Sequence, residues 1–187
     1  MFTRTILSIS LILTTAAVLS AQVRQPTASF AAVRDVRAAT AGIHFTKAEA
    51  LTAAQLAERR AFELLNAKRA DAGLSPLEWC DQAAEVARGH SLSMSAENYF
   101  SHQGLDGSLV NDRAERLGLK DWAAIGENIA FVRTMRDPVE VAVEQWMRSP
   151  SHRENILGPR WAESGIGVSV TEQGTFYFTQ VFIVRKK

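Results

Sequence analysis

Gly165-Ile166-Gly167-Val168-Ser169-Val170-Thr171-Glu172-Gln173-Gly174-Thr175-Phe176-Tyr177-Phe178-Thr179-Gln180-Val181-Phe182-Ile183-Val184 is the stretch that decides the architecture. Ile166, Val168 and Val170 alternate with Gly167, Ser169 and Thr171, the period of two expected of a strand. A turn falls near Gly174, and Phe176 to Val184 returns as the second arm of an antiparallel hairpin. Most of the domain upstream repeats at helical spacing instead. Helices first and strands last predict an α+β layered sandwich rather than a doubly wound α/β fold.

Working back from the hairpin, Ser151 and Glu154 form a capping-box pattern that places His152 in the first turn of a short helix. Before it, Asp137 caps a helix, Pro138 fills its first turn and Glu140 completes a box, while Val139, Val143, Trp146 and Met147 face inward and Pro150 stops it. Ile125 to Val132 reads as a buried strand interrupted by Glu127 and Asn128. A short helix near Asn111 to Leu117 ends at Gly118. A longer one runs from Asp81 to Glu97 with Ala83, Ala87, His90 and Met94 on one stripe. Ala54, Ala57, Ala61, Leu64 and Leu65 form the face of the first helix, which Gly73 closes in a left-handed cap.

In front of that helix the chain changes character. Arg4, the apolar run Ile6 to Leu19 and the small pair Ser20-Ala21 predict a secretory signal over residues 1–21, too short to span a bilayer comfortably. An alanine-rich leader or linker follows over 22–50, and the domain occupies 51–187. Export places the protein outside the cell or in the envelope, with no transmembrane anchor after processing. Of 187 residues 47% are hydrophobic and 22% charged, enough apolar content for one packed core. Lysine and arginine number 21 against 20 acidic residues, a balance that argues against nucleic acid as a partner. The single cysteine, Cys80, rules out an internal disulfide, so packing alone must hold the domain. At the start of a helix its thiol pKa could be lowered, but a plain packing role is the reading adopted for it.

Four histidines remain as candidates for chemistry. His44 lies in the leader, and His90 sits on an apolar stripe as a core residue. His102 and His152 fall in a loop and at a helix start, where functional side chains are displayed. Glu127 lies 25 residues from each, in an apolar strand where a carboxylate is costly unless paired or facing a cavity. Two imidazoles and one carboxylate are a ligand set for zinc or another divalent metal, although the long spacings make no recognised motif.

A longer series of residues gives this trio more weight. Leu65-Asn66, Arg69, Gly73-Leu74, Pro76-Leu77-Glu78-Trp79, His90-Ser91, Phe100-Ser101-His102, Gly126-Glu127-Asn128-Ile129-Ala130, Ser149-Pro150-Ser151-His152-Arg153-Glu154-Asn155-Ile156-Leu157 and Gly165-Ile166-Gly167-Val168 occur in this order. The series resembles the CAP superfamily of cysteine-rich secretory, antigen 5 and pathogenesis-related proteins, in its short bacterial form, over roughly residues 55 to 187. The resemblance implies a three-layer α-β-α sandwich with two histidines and two glutamates lining a central cleft that holds zinc in some relatives. His102, Glu127 and His152 match three of the four; the fourth position is Ser149, which removes one negative charge and one general base. Asn128 is expected to bond the turn before its strand, Arg153 to pair on the surface or brace the cleft, and Glu154 to cap. Trp79, Trp146 and Phe100 are expected in the core, and Tyr99 is undecided between core and cleft.

Three functions follow from these residues. The first is a non-enzymatic extracellular module whose His/Glu-lined cleft receives a lipid, peptide or glycan. The second is a metal-assisted hydrolase in which His102 and His152 hold the ion and Glu127 ligates it or accepts a proton. The third is a polar cluster that merely satisfies itself.

Overall fold

The structure, a computed structural model, describes residues 46–134 and 136–186. The signal at 1–21 and nearly all of the leader lie outside these residues. Helix α1 (Lys47–Asp71) begins ahead of residue 51 because Thr46 and Glu49 cap it reciprocally. It ends as Gly73 takes φ 72°, with the Gly73 and Leu74 N–H groups donating back to the carbonyls of Ala70 and Arg69. A two-residue strand β1 (Glu78–Trp79) follows, then α2 (Asp81–Ala96), α3 (Val110–Arg116) and β2 (Trp122–Val132). The chain continues through α4 (Pro138–Arg148), α5 (Pro150–Ile156), β3 (Glu163–Val170) and β4 (Phe176–Arg185).

The strands form one sheet in the order β1-β3-β4-β2. The hairpin pairs Val170 with Phe176 and runs to Glu163 opposite Ile183, while β2 joins the other side of β4 antiparallel and β1 adds to β3 in parallel. Side chains on β4 alternate between two cores. Phe176, Phe178 and Phe182 join Ile166 and Val168 against α1, α4 and α5. Val181 and Ile183 face α2 and the end of α3, among Ala83, Val86, Ala87 and Ala114. The expected α-β-α sandwich is therefore present, with helices on both faces.

Two glycines make the second face possible. A Cβ on Gly165 would lie 2.0 Å from the Ala84 nitrogen, and one on Gly167 2.0 Å from that of Arg88. The backbone of α2 thus rests directly on β3, which no larger residue would allow. On the open side of β3, buried Glu58 accepts from the Val168 N–H and from Arg88, taking the place of a missing strand.

At α4 the side chain of Asp137 accepts from the N–H groups of Val139 and Glu140. Helix α5 differs from the expected capping box. It starts at Pro150, whose fixed φ suits a first helical position, so Ser149 is the N-cap and makes no side-chain cap bond. Ser151 and Glu154 are exposed within that helix, and His152 remains in its first turn.

Candidate functional site

The site forms beside β2, which is an edge strand of the sheet. Period-two alternation sends Glu127, opposite Val181, toward the α2 and α3 side, and sends Asn128, opposite Gln180, toward α5. Glu127 therefore meets the loop that leaves α2. Its Oε1 accepts from His102 Nδ1 at 2.8 Å and its Oε2 from Arg113 Nη2 at 2.6 Å. The carboxylate side chain is 4% exposed and that of Arg113 9%, while His102 is 51% exposed. A buried carboxylate with a buried guanidinium thus stands behind a histidine that reaches solvent.

The same arginine fixes the loop backbone, donating from Nη1 to the carbonyls of His102 at 3.1 Å and Ser108 at 2.9 Å. His90 adds a second strut, with Nε2 2.9 Å from the Ser101 carbonyl and 4.0 Å from Glu127. Burial lowers the His90 pKa, against the opposing pull of Glu127. Its Nδ1 has no partner among the described residues.

With Nδ1–H donated to Glu127, neutral His102 carries its lone pair on Nε2. His102 borders two neighbouring hollows. One, of about 580 Å³, is walled by Phe100, Leu109 and Ile129 and also holds His152. The other, of about 550 Å³, lies against Ile125 and Glu127. The His152 pKa is lowered, first by burial and then by repulsion from the His102 ring when that is protonated. The structure so brings His102 to both Glu127 and His152. Among the described residues no three His, Cys, Asp or Glu side chains converge as a metal-ion group.

The other expected site residues divide. Ser149 caps α5, its Oγ 3.4 Å from that of Ser151. Asn128 is buried and donates to the His152 carbonyl while accepting from Asn155, so it ties β2 to α5 rather than bonding the turn before its strand. Arg153 is exposed, with no ion pair among the described residues. Tyr99 stands behind His90 with its hydroxyl 2.9 Å from Ser93 Oγ. Trp146 is buried and Trp79 packs edge-on against Phe62, but Phe100 is half exposed and lines the cleft instead of joining the core. Burial raises the Cys80 thiol pKa, opposite to the lowering a helix start could give. Arg113 escaped sequence reasoning altogether, because an arginine among other charges on a short helix carries no sign of burial.

Comparison with known proteins bears on the fold and the family. The chain is 39% identical over 128 residues to the uncharacterized membrane protein YlbC of Bacillus subtilis (strain 168), covering 68% of this chain and 34% of that protein. It is 38% identical to the uncharacterized protein YkwD of the same organism, over 67% of this chain and 46% of that one. It spans less than half the length of either relative. Among solved structures, an extracellular protein containing a SCP domain from Bacillus anthracis str. Ames superposes with a TM-score of 0.66 at 31% identity, over 75% of this chain and 44% of that one. An outer surface protein from Borrelia burgdorferi shares the fold at a TM-score of 0.62 and 19% identity, over 78% of this chain and 99% of that one. No helix among the described residues is long and apolar enough to cross a membrane. The profile of the cysteine-rich secretory protein family, CAP, matches residues 62–182, and this chain belongs to that family.

Proposed function

We propose that the protein is an exported, non-enzymatic binding module whose cleft takes a ligand between His102 and His152. One observation carries the reading: both oxygens of Glu127 are engaged, by His102 and by Arg113. The carboxylate orients the imidazole, so it is not a free general base, and Ser149 stands where a second carboxylate would be. What faces the cleft is the Nε2 of His102, the His152 ring and an apolar wall of Phe100, Leu109 and Ile129. A ligand that suits these groups offers a hydrogen-bond donor or a Lewis-acidic centre to the imidazoles and apolar surface to the wall. Lipid, peptide and glycan fragments all meet that description. The extracellular and outer-surface descriptions of the two structural neighbours agree with export.

Zinc is the specific alternative. The three-ligand set of His102, His152 and Glu127 fits poorly, because Glu127 meets His102 at Nδ1 whereas the lone pair left to hold an ion is on Nε2, across the ring. A zinc-assisted hydrolase is accordingly the weaker reading. The two imidazoles alone fit a loosely held ion, with Glu127 as the hydrogen-bond partner behind His102.

Thermal melts of the purified protein test the proposal with zinc sulfate, dodecanol, chitotriose and an extended hexapeptide. A probe at a hundred times its Kd stabilises by about 2.7 kcal/mol, roughly 8 °C for a domain of this size. At least one probe is expected to produce a shift that His102→Ala and His152→Ala both remove. Flat melts with every probe would leave the self-satisfied polar cluster as the better account.

A further inference from the structure

Arg113 does more than neutralise a buried carboxylate, and we infer that it is the positioning residue that fixes which group residue 127 presents to His102 Nδ1, and through it which ring nitrogen carries the proton. This deepens the binding reading without depending on the identity of the ligand. Three facts point to it. Arg113 Nη2 holds Glu127 Oε2 at 2.6 Å, and its other terminal nitrogen holds the carbonyls of His102 and Ser108. One guanidinium therefore fixes the acceptor, the backbone that bears the histidine and the far end of the loop. The side chain is nearly buried, so these bonds do not compete freely with water.

The consequence is directional. A guanidinium has only donors, so the group opposite it must present an acceptor. Glu127 satisfies that demand with Oε2 and leaves Oε1 for the Nδ1–H of His102. The lone pair of His102 is thereby held on Nε2, the nitrogen left without a protein partner among the described residues. His90 stabilises the same loop through Ser101 but makes no hydrogen bond to Glu127, which it approaches only to 4.0 Å. The choice of tautomer thus rests with Arg113 and Glu127.

An isosteric change makes the inference testable. In Glu127→Gln, Arg113 must still meet an acceptor, so the amide oxygen turns to the guanidinium and the amide N–H turns to His102 Nδ1. His102 then has to accept at Nδ1 and carry its proton on Nε2. Adding Arg113→Met removes the constraint, the amide is free to turn over and offer its oxygen to Nδ1, and the Nδ1–H population rises. Long-range proton–nitrogen spectra of protein labelled with nitrogen-15 histidine distinguish the two tautomers directly above the titration range of the imidazoles.

The expected result is mostly Nδ1–H in the wild type, mostly Nε2–H in Glu127→Gln, and a return toward Nδ1–H in the double variant. A merely structural role for Arg113 would lower stability without this inversion and reversal. An unchanged tautomer in folded Glu127→Gln overturns the inference, as does a folded double variant whose Nδ1–H population is no higher than that of Glu127→Gln. Should the double variant fail to fold, Arg113→Gln, which can accept as well as donate, takes the place of Arg113→Met in the Glu127→Gln background. The measurement uses the free protein, so flat ligand melts and an unchanged tautomer refute separate statements.

Discussion

Replacing Glu127 by leucine strands a guanidinium that is 9% exposed and has no other anionic partner among the described residues. Breaking a buried pair from one side costs about 3–5 kcal/mol, because the remaining charge keeps its desolvation penalty without its attraction. For a domain near this size that lowers the melting temperature by roughly 10–15 °C. Adding Arg113→Met removes the stranded charge. Replacing both members of a buried pair with apolar groups is often close to neutral, so the loss that remains comes from the carbonyls of His102 and Ser108, at about 1 kcal/mol each. The double variant is therefore expected to lose about 1–3 kcal/mol, less than Glu127→Leu alone. Urea unfolding of the wild type, both single variants and the double variant gives the cycle. A double variant as unstable as the sum of the singles would refute the reasoning, and so would a loss below about 1 kcal/mol for Glu127→Leu.

Two glycines on neighbouring elements should respond in opposite senses. Gly167→Ala puts a Cβ 2.0 Å from the backbone nitrogen of Arg88, so α2 must lift from β3 at a cost of about 3 kcal/mol or more, whereas exposed Gly89 has nothing within 4 Å and Gly89→Ala should gain about 0.5–1 kcal/mol. Equal effects in chemical denaturation would contradict direct helix-on-strand packing. The pH dependence has a defined sign: burial depresses the His90 and His152 pKa values, so the unfolded chain binds protons that the native state does not. Their contribution to stability is present above the ordinary imidazole pKa of about 6.5 and is lost as pH falls through the lowered native values. Urea midpoints measured from neutral to mildly acid pH should fall for the wild type and fall less for His90→Gln; parallel profiles would remove His90 from the explanation.

Local signals carry much of the fold. The β3–β4 hairpin is legible from period-two alternation and Gly174, and α4 from Asp137-Pro138, because turns and caps are decided by neighbouring residues. Strand β1 is not legible: two residues acquire strand geometry only by pairing with Glu163 and Ser164, far along the chain. Pro150 reads as the end of α4, but it also opens α5, a double role that moves the cap from Ser151 to Ser149. In the cleft, a carboxylate inside an apolar strand announces Glu127. Its buried partner Arg113 and the half-exposed Phe100 depend on which way α3 and the loop after α2 are turned, a tertiary property.

The location of the binding site is the central claim, and amide chemical-shift mapping with zinc sulfate, dodecanol, chitotriose and the hexapeptide tests it most directly. The expected perturbations cluster on Phe100 to Gln103, Leu109, Ile129 and His152, and disappear in His102→Ala. Saturable perturbations centred instead on the hollow beside Arg160 and Trp161, about 460 Å³ on another part of the surface, would contradict the assignment.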